Sequence, residues 1–259
     1  MNKEQSVTLL RRNKRAQVEA LNGLGFAGVT AATRASLFAD YIKWSGGLLD
    51  VRVAIVRIAD GEKFYLTIQE WESLTNENKA LFVKQGVRIR AQQLDFMLAA
   101  NALGTFAWGS SKDVTTLTNY SQTGASSIYN EALDALTLTQ RISTYYGTAT
   151  ANSVTGAPAA NAALNYKAFT QGTDGVDDDL DWCLPLPKHC MVLYRHMAAI
   201  NDVLRRAWSS DNIITTSTLW TCIECSAANA WAYIMSYGGV YDTTKTSALT
   251  VRPIALFNT

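Results

Sequence analysis

The chain has 259 residues, of which 48% are hydrophobic and 17% charged, with a formal net charge of +1. That length suits one large or two modest domains with a sizeable core, and the apolar content excludes a disordered chain. A charge so close to zero supplies no field to draw the protein to nucleic acid or to an anionic membrane, so neither is an expected partner.

The first residues, Met1 to Ser6, lead into no apolar secretory region, and no run reaches the ~20 apolar residues of a membrane span. No membrane insertion is expected, and work outside a cell would follow release by lysis. Residues 1–20 carry Leu9, Leu10 and Val18 beside Arg11, Arg12, Lys14 and Arg15, a pattern that predicts a helix with a charged face ending near Gly23 or Gly25. Ala31 to Trp44 predicts a second short helix, broken by Gly46-Gly47. The basic cluster reads as a solvated helix face rather than as a contact, because four charges without interleaved aromatics specify little.

From Leu49 the period changes to two: Val51, Val53 and Ile55 alternate through a strand, Asp60-Gly61 turns, and Phe64 to Thr67 continues as a second strand. Thr67-Ile68-Gln69-Glu70 is a capping-box pattern that starts a helix, and a further helix is expected from Thr75 or Asn76 to Lys84, stopped by Gln85-Gly86. Val87 to Ala91 and Leu94 to Ala99 read as a hairpin, and Asn101 to Gly104 as a joint. Phe106-Ala107-Trp108-Gly109 opens a second domain. A Ser/Thr-rich loop, a helix from Tyr129 to Arg141, a surface loop over 145–161 and an Ala-rich helix leading into an aromatic strand by Phe169 are expected next.

Asp174, Asp177, Asp178 and Asp179 form the densest acidic run, and Asp181 follows it. Several oxygen ligands in one loop could hold Ca²⁺, but the spacing is not that of an EF-hand, and a solvated loop is the plainer reading. After Trp182-Cys183-Leu184-Pro185 an amphipathic helix is predicted from Lys188 to Trp208, with Val192, Leu193, Met197, Ile200 and Leu204 on its core face. His189 and His196 ride on it with no acid or cysteine at ligand spacing, so packing or surface roles are expected. The four cysteines, Cys183, Cys190, Cys222 and Cys225, are expected as free thiols, since their spacing is not that of a zinc knuckle. Neither metal nor cofactor is expected.

The C-terminal stretch is the most informative. Leu219 to Ser226 reads as a strand, and Ala230 to Met235 leads through Gly238-Gly239 into a further run, which predicts a hairpin with a glycine turn. Asp242 to Ser247 is polar and is expected in a loop or on an exposed face; Pro253, which cannot donate to a ladder, marks a strand end or edge. Trp220 and Trp231 are expected in the core, and Tyr237, Tyr241 and Lys245 outside it.

The order Trp182-x-Leu184-Pro185, helix, Trp220-Thr221-x-x-Glu224, Asn229-Ala230-Trp231, Gly238-Gly239, Val251-Arg252-Pro253 resembles C-type-lectin-fold domains related to formylglycine-generating enzymes. It is most similar to the variable ligand-binding domains of phage and bacterial adhesins, over residues ~105–257. The module around Glu62 to Leu98 looks like segments that precede this domain in phage fibre proteins. The resemblance implies an α+β fold class: an N-terminal helical and small α+β attachment region (residues 1–48 and 49–103), followed by a C-type-lectin-like mixed α/β domain (104–259). It implies that Glu224, Asn229, Trp231, Arg252 and Pro253 are scaffold. It also implies that Cys222, Cys225, Tyr233, Met235, Tyr237, Tyr241, Thr243, Lys245 and Ser247, with Ile223, Ala228 and Leu249, face a ligand.

The calcium-bridging Glu-Pro-Asn and Trp-Asn-Asp signatures of animal lectins are missing, as is a matching catalytic thiol pair. The resulting expectation is not an enzyme. It is a virion protein, a head or tail fibre and a homotrimer, held to other virion proteins by its N-terminal region and to a host-surface glycan or protein by its C-terminal domain. The alternatives are a capsid-decorating protein without a host ligand, or an enzyme of the formylglycine-generating type.

Overall fold

A computed structural model describes residues 49–91, 94–110, 134–147, 156–169 and 176–257. The two helices expected before residue 48 lie outside the described residues, as do 129–133, 148–155 and 171–175.

The expected alternation becomes strand β1 (Asp50–Arg57), and Gly61, at φ +71°, lets the chain return as β2 (Lys63–Leu66). Thr67 then caps helix α1 (Ile68–Ser73). Its hydroxyl accepts from the Glu70 amide at 3.2 Å, and the Glu70 carboxylate accepts from the Thr67 amide at 2.7 Å. Both halves of the capping box are therefore present. Thr75 caps a second short helix, α2 (Asn76–Lys79), and there the helix expected to reach Lys84 ends.

Strand β3 (Phe82–Ala91) takes over because pairing with β1 overrides local propensity. Lys84 stands opposite Ile55 and Gly86 opposite Ala54, so Gln85 is the extra residue of a β-bulge. Gly86 is thus no helix stop but a point of close approach: a Cβ there would lie 2.7 Å from the Leu98 carbonyl oxygen and 2.9 Å from Met97 Cγ. Beyond it β3 pairs with β4 (Leu94–Leu98), the expected hairpin.

After β5 (Thr105–Ala107), helix α3 (Ala135–Tyr146) starts at Asp134, whose carboxylate accepts from the Leu136 and Thr137 amides. The stretch expected as surface loop up to residue 161 instead holds the start of α4 (Pro158–Leu164). Ala157, Ala159, Ala160 and Ala163 are fully buried: small side chains read as polar surface are in fact a closely packed face. The aromatic strand expected at Phe169 does not form, and the next strand is the two-residue β6 (Trp182–Cys183). The single long helix is two, α5 (Pro187–Arg195) and α6 (Met197–Ala207), parted at His196, whose φ of −115° and ψ of 16° leave the helical region. The core face survives the break, with Val192, Leu193, Ile200 and Leu204 buried.

The chain ends in β7 (Thr218–Glu224), β8 (Asn229–Ile234), β9 (Gly239–Thr244), β10 (Ala248–Thr250) and β11 (Ile254–Leu256). Two sheets result. One has the order β2-β1-β3-β4-β11-β6 and the other β5-β10-β7-β8-β9. The protein is a mixed α+β structure in which the first sheet continues across the boundary expected at 103/104, since β11 pairs with β4.

One core joins both sheets to the helices, with Val53, Ile89 and Phe96 from the first sheet, Leu219 and Trp220 from the second, and Leu138, Leu193 and Ile200 from helices. The chain passes between the sheets at Ala99–Gly104 and again at Val251–Pro253, and the two passages are tied together. Leu103 N donates to Val251 O at 2.8 Å, Val251 N to Gly104 O at 3.0 Å, and Ala99 N to Pro253 O at 3.0 Å.

Two outcomes follow for stability. Gly86→Ala should cost about 1–3 kcal/mol, because one of the atoms it meets is backbone and cannot swing away, and a thermal melt will read the loss. His189 is buried with its edge on Phe96, and its Nδ1 accepts the Leu186 amide at 3.1 Å. Burial, with a smaller push from Lys188, lowers its pKa from 6.5 to about 3. Between those values the unfolded chain binds the proton and the folded one does not, so stability falls as pH drops from 6.5 towards 3, by up to about 1.4 kcal/mol per pH unit. Urea melts across that range should show a slope shallower by this amount in His189→Asn, whose amide oxygen can still accept the Leu186 N–H.

Candidate functional site

The C-terminal sheet is built on indoles and hydroxyls that bind backbone. Trp220 Nε1 donates to Phe106 O at 2.7 Å, Trp108 Nε1 to Thr221 O at 2.8 Å, and Thr221 Oγ1 to Trp231 O at 2.7 Å. The β7–β8 register shifts between Trp220 and Glu224, and Thr221, whose carbonyl meets Trp108, lies within that irregularity. Of the expected scaffold residues Glu224, Trp231, Arg252 and Pro253 are buried and Asn229 is half-buried; Trp220, expected in the core, is buried as well. The Trp231 indole N–H has no partner among the described residues.

Lys245 corrects the expectation most sharply. It was expected to face ligand, yet it is fully buried. The Thr244–Ser247 turn, closed by Ser247 N donating to Thr244 O at 2.9 Å, directs it inwards. There its ammonium pairs with the equally buried Glu224 carboxylate and donates to Tyr146 Oη at 3.1 Å and Ala227 O at 2.9 Å. The ammonium also lies 5.2 Å from the Trp108 ring centre and 5.8 Å from that of Tyr146. A buried carboxylate demands a cation. Nothing local in the sequence singles out Lys245 among the 23 lysines and arginines as that cation.

Three other residues expected at a ligand face are also interior. Cys222, Tyr233 and Met235 are buried, and so is Ile223. Tyr233 points its hydroxyl to Gly238 O at 3.0 Å, and the Cys222 amide is bound by Pro185 O at 3.0 Å. β7 is buried at every residue from Leu219 to Glu224 and β8 from Ala230 to Tyr233, so side chains on both faces of these strands are interior.

What remains outside is the β8–β9 turn and β9 itself. Tyr237 is 62% exposed, Tyr241, Thr243, Ser247, Cys225 and Leu249 are half-buried, and Ala228 is exposed. The turn that carries Tyr237 is held firmly. Gly238, at φ +76°, packs so closely on Tyr194 of α5 that a Cβ would lie 2.2 Å from the ring, and its amide donates to Ile234 O at 2.9 Å. Among the described residues β9 has a strand neighbour on one side only and forms the edge of its sheet. Near its far end Asn229 Nδ2 donates to Asp242 Oδ2 at 2.8 Å. Burial, then the neighbouring Asp242 carboxylate, raises the pKa of Cys225.

The other chemistry-bearing residues are structural. Cys183, Cys190 and Cys222 are unpaired, and burial holds their thiols well above the ordinary range, so they are poor nucleophiles. In the acidic run Asp178 is buried rather than solvated: it accepts from Ala168 N at 2.6 Å and Trp182 Nε1 at 2.9 Å. Gln85, the bulged residue, adds a longer contact to it at 3.4 Å. Asp179 pairs with Lys63 at 2.7 Å. Among the described residues no group of three His, Cys, Asp or Glu could hold a metal ion.

Removing one partner of the Lys245–Glu224 pair leaves a buried charge unmatched. Lys245→Met and Glu224→Leu should each cost about 3–5 kcal/mol, and the double variant should regain a large part of that. Urea melts of the three variants read the difference; a double variant no more stable than either single would show that the pair is not acting as a unit.

Compared with known proteins, the chain matches no protein-family model, and no curated protein matches it.

Proposed function

We propose that the protein is a virion adhesin, a head or tail fibre of a tailed phage, with a C-type-lectin-like region that binds a cell-surface glycan or protein. In this reading residues 1–48 attach the chain to other virion proteins and fibres assemble as homotrimers. The observation that carries it is Tyr237, 62% exposed on a turn locked against Tyr194, beside the half-exposed Tyr241 and Thr243 of an edge strand. Tyrosines and short polar side chains on a rigid frame offer contact area at low entropic cost. The burial of Trp220, Glu224, Trp231 and Arg252, four of the positions on which the lectin-like resemblance rests, supports the same reading, while Asn229 is half-buried. A single copy would bind weakly, and repetition on a particle would supply avidity.

The test is binding of the full chain, displayed in many copies on beads, to intact candidate host cells. A Tyr237→Ala, Tyr241→Ala, Thr243→Ala variant should lose about tenfold or more in binding while its melting curve stays in place. Wild-type beads that ignore every host cell and bind purified capsids instead would replace the adhesin with a capsid-decorating protein.

A further inference from the structure

We infer that the open edge of β9 is a docking strand for an extended segment of another polypeptide carrying lysine or arginine; this rests on the binding role proposed above and narrows its ligand to protein. The ladder defines which groups are open. Lys245 N donates to Ala228 O at 2.9 Å, which makes these two a hydrogen-bonded pair of the antiparallel β8–β9 ladder. Alternation then makes Ala230/Thr243 and Ala232/Tyr241 bonded pairs as well. The N–H and C=O groups of Val240 and Asp242 therefore point away from β8, and among the described residues they meet no backbone partner.

Donors and acceptors repeating at every second residue match another strand, whereas a glycan has no such repeat. Among the described residues nothing covers the edge, and apart from the charge of Asp242 it lacks the usual protections. Its register with β8 is unbroken from Asn229/Thr244 to Ile234/Gly239, and Val240 to Thr244 contains no proline, bulge or lysine. Its length is bounded as well. At one end Gly238 is seated on Tyr194, and at the other the chain turns in to bury Lys245.

Charge names the partner's chemistry. Asp242 is exposed and is the only charged residue of β9, while the cation three residues on is committed to Glu224. The residue of a docked strand that faces Asp242 is therefore basic. A second copy of β9 would set two Asp242 carboxylates opposite or diagonal to each other with no cation between them, which disfavours self-pairing.

The experiment uses the full chain and a capped peptide of alternating lysine and valine as probe. Saturating peptide should slow amide hydrogen exchange at Val240 and Asp242 by about tenfold or more, as pairing of an open edge requires. The same peptide with every backbone nitrogen methylated, or with glutamate for lysine, should bind about tenfold or more weakly. Asp242→Lys, a change on an exposed edge, should reverse the preference in favour of the glutamate peptide. Unchanged exchange at both amides overturns the proposal, and so does equal binding by the methylated peptide. Concentration-dependent protection without peptide also overturns it, since the edge would then be taken by a second copy. Cell binding is scored in parallel on the same wild-type protein: host attachment that persists when the peptide fails removes the strand-docking proposal and leaves the adhesin.

Discussion

The guanidinium of Arg252 is held by four backbone carbonyls and, among the described residues, no carboxylate: Ala99 at 3.1 Å, Ala100 at 2.6 Å, Asn212 at 2.7 Å and Ile213 at 3.2 Å. It sits where two of the chain's passages between its sheets run side by side, so from the entry to β11 one side chain binds the exit of β4 and the loop that precedes β7. The bonds to Ala99 and Ala100 are buried and those to Asn212 and Ile213 part-buried, so one planar cation satisfies acceptors that water reaches poorly. Burial lowers the pKa of Arg252 from 12.5 to about 10, which still leaves it charged at neutral pH. The relative placing of the sheets, and with it the presentation of β9, depends on this junction.

Lys245 repeats the device within the second sheet. Its ammonium joins Glu224 of β7, the carbonyl of Ala227 and the hydroxyl of Tyr146 at the end of α3. The outer hairpin is thereby anchored at both ends, by this charge cluster at one and by Gly238 against Tyr194 at the other. A hairpin held in that way loses little conformational freedom when it meets a ligand, so more of the contact energy appears as affinity.

Much of the first sheet was legible because its signals are local. The capping box at Thr67 and Glu70, the alternation of β1 and the hairpin of β3 and β4 depend on residues close in sequence. The extent of β3 was not legible, since Lys84, Gln85 and Gly86 become strand only through pairing with β1 and close contact with Leu98. Composition misled at Ala157 to Asn161, where small residues signal a loop or a tightly packed helix equally well. The site shows the same division. The aromatic core positions Trp220 and Trp231 and the exposed Tyr237 follow from residue type and the glycine turn, but the inward course of Lys245 depends on a carboxylate on another strand and a tyrosine 99 residues away.

The single strand neighbour of β9 also bears on how this protein can change over generations. The outward residues of β9 and of the turn before it, among them Tyr237, Asp242 and Thr244, can be exchanged for most other side chains without leaving a buried charge unmatched or a carbonyl without a donor. At Glu224, Lys245 and Arg252 almost every substitution does one or the other. Heritable variation can therefore accumulate at the rim with little loss of stability while the frame stays constant.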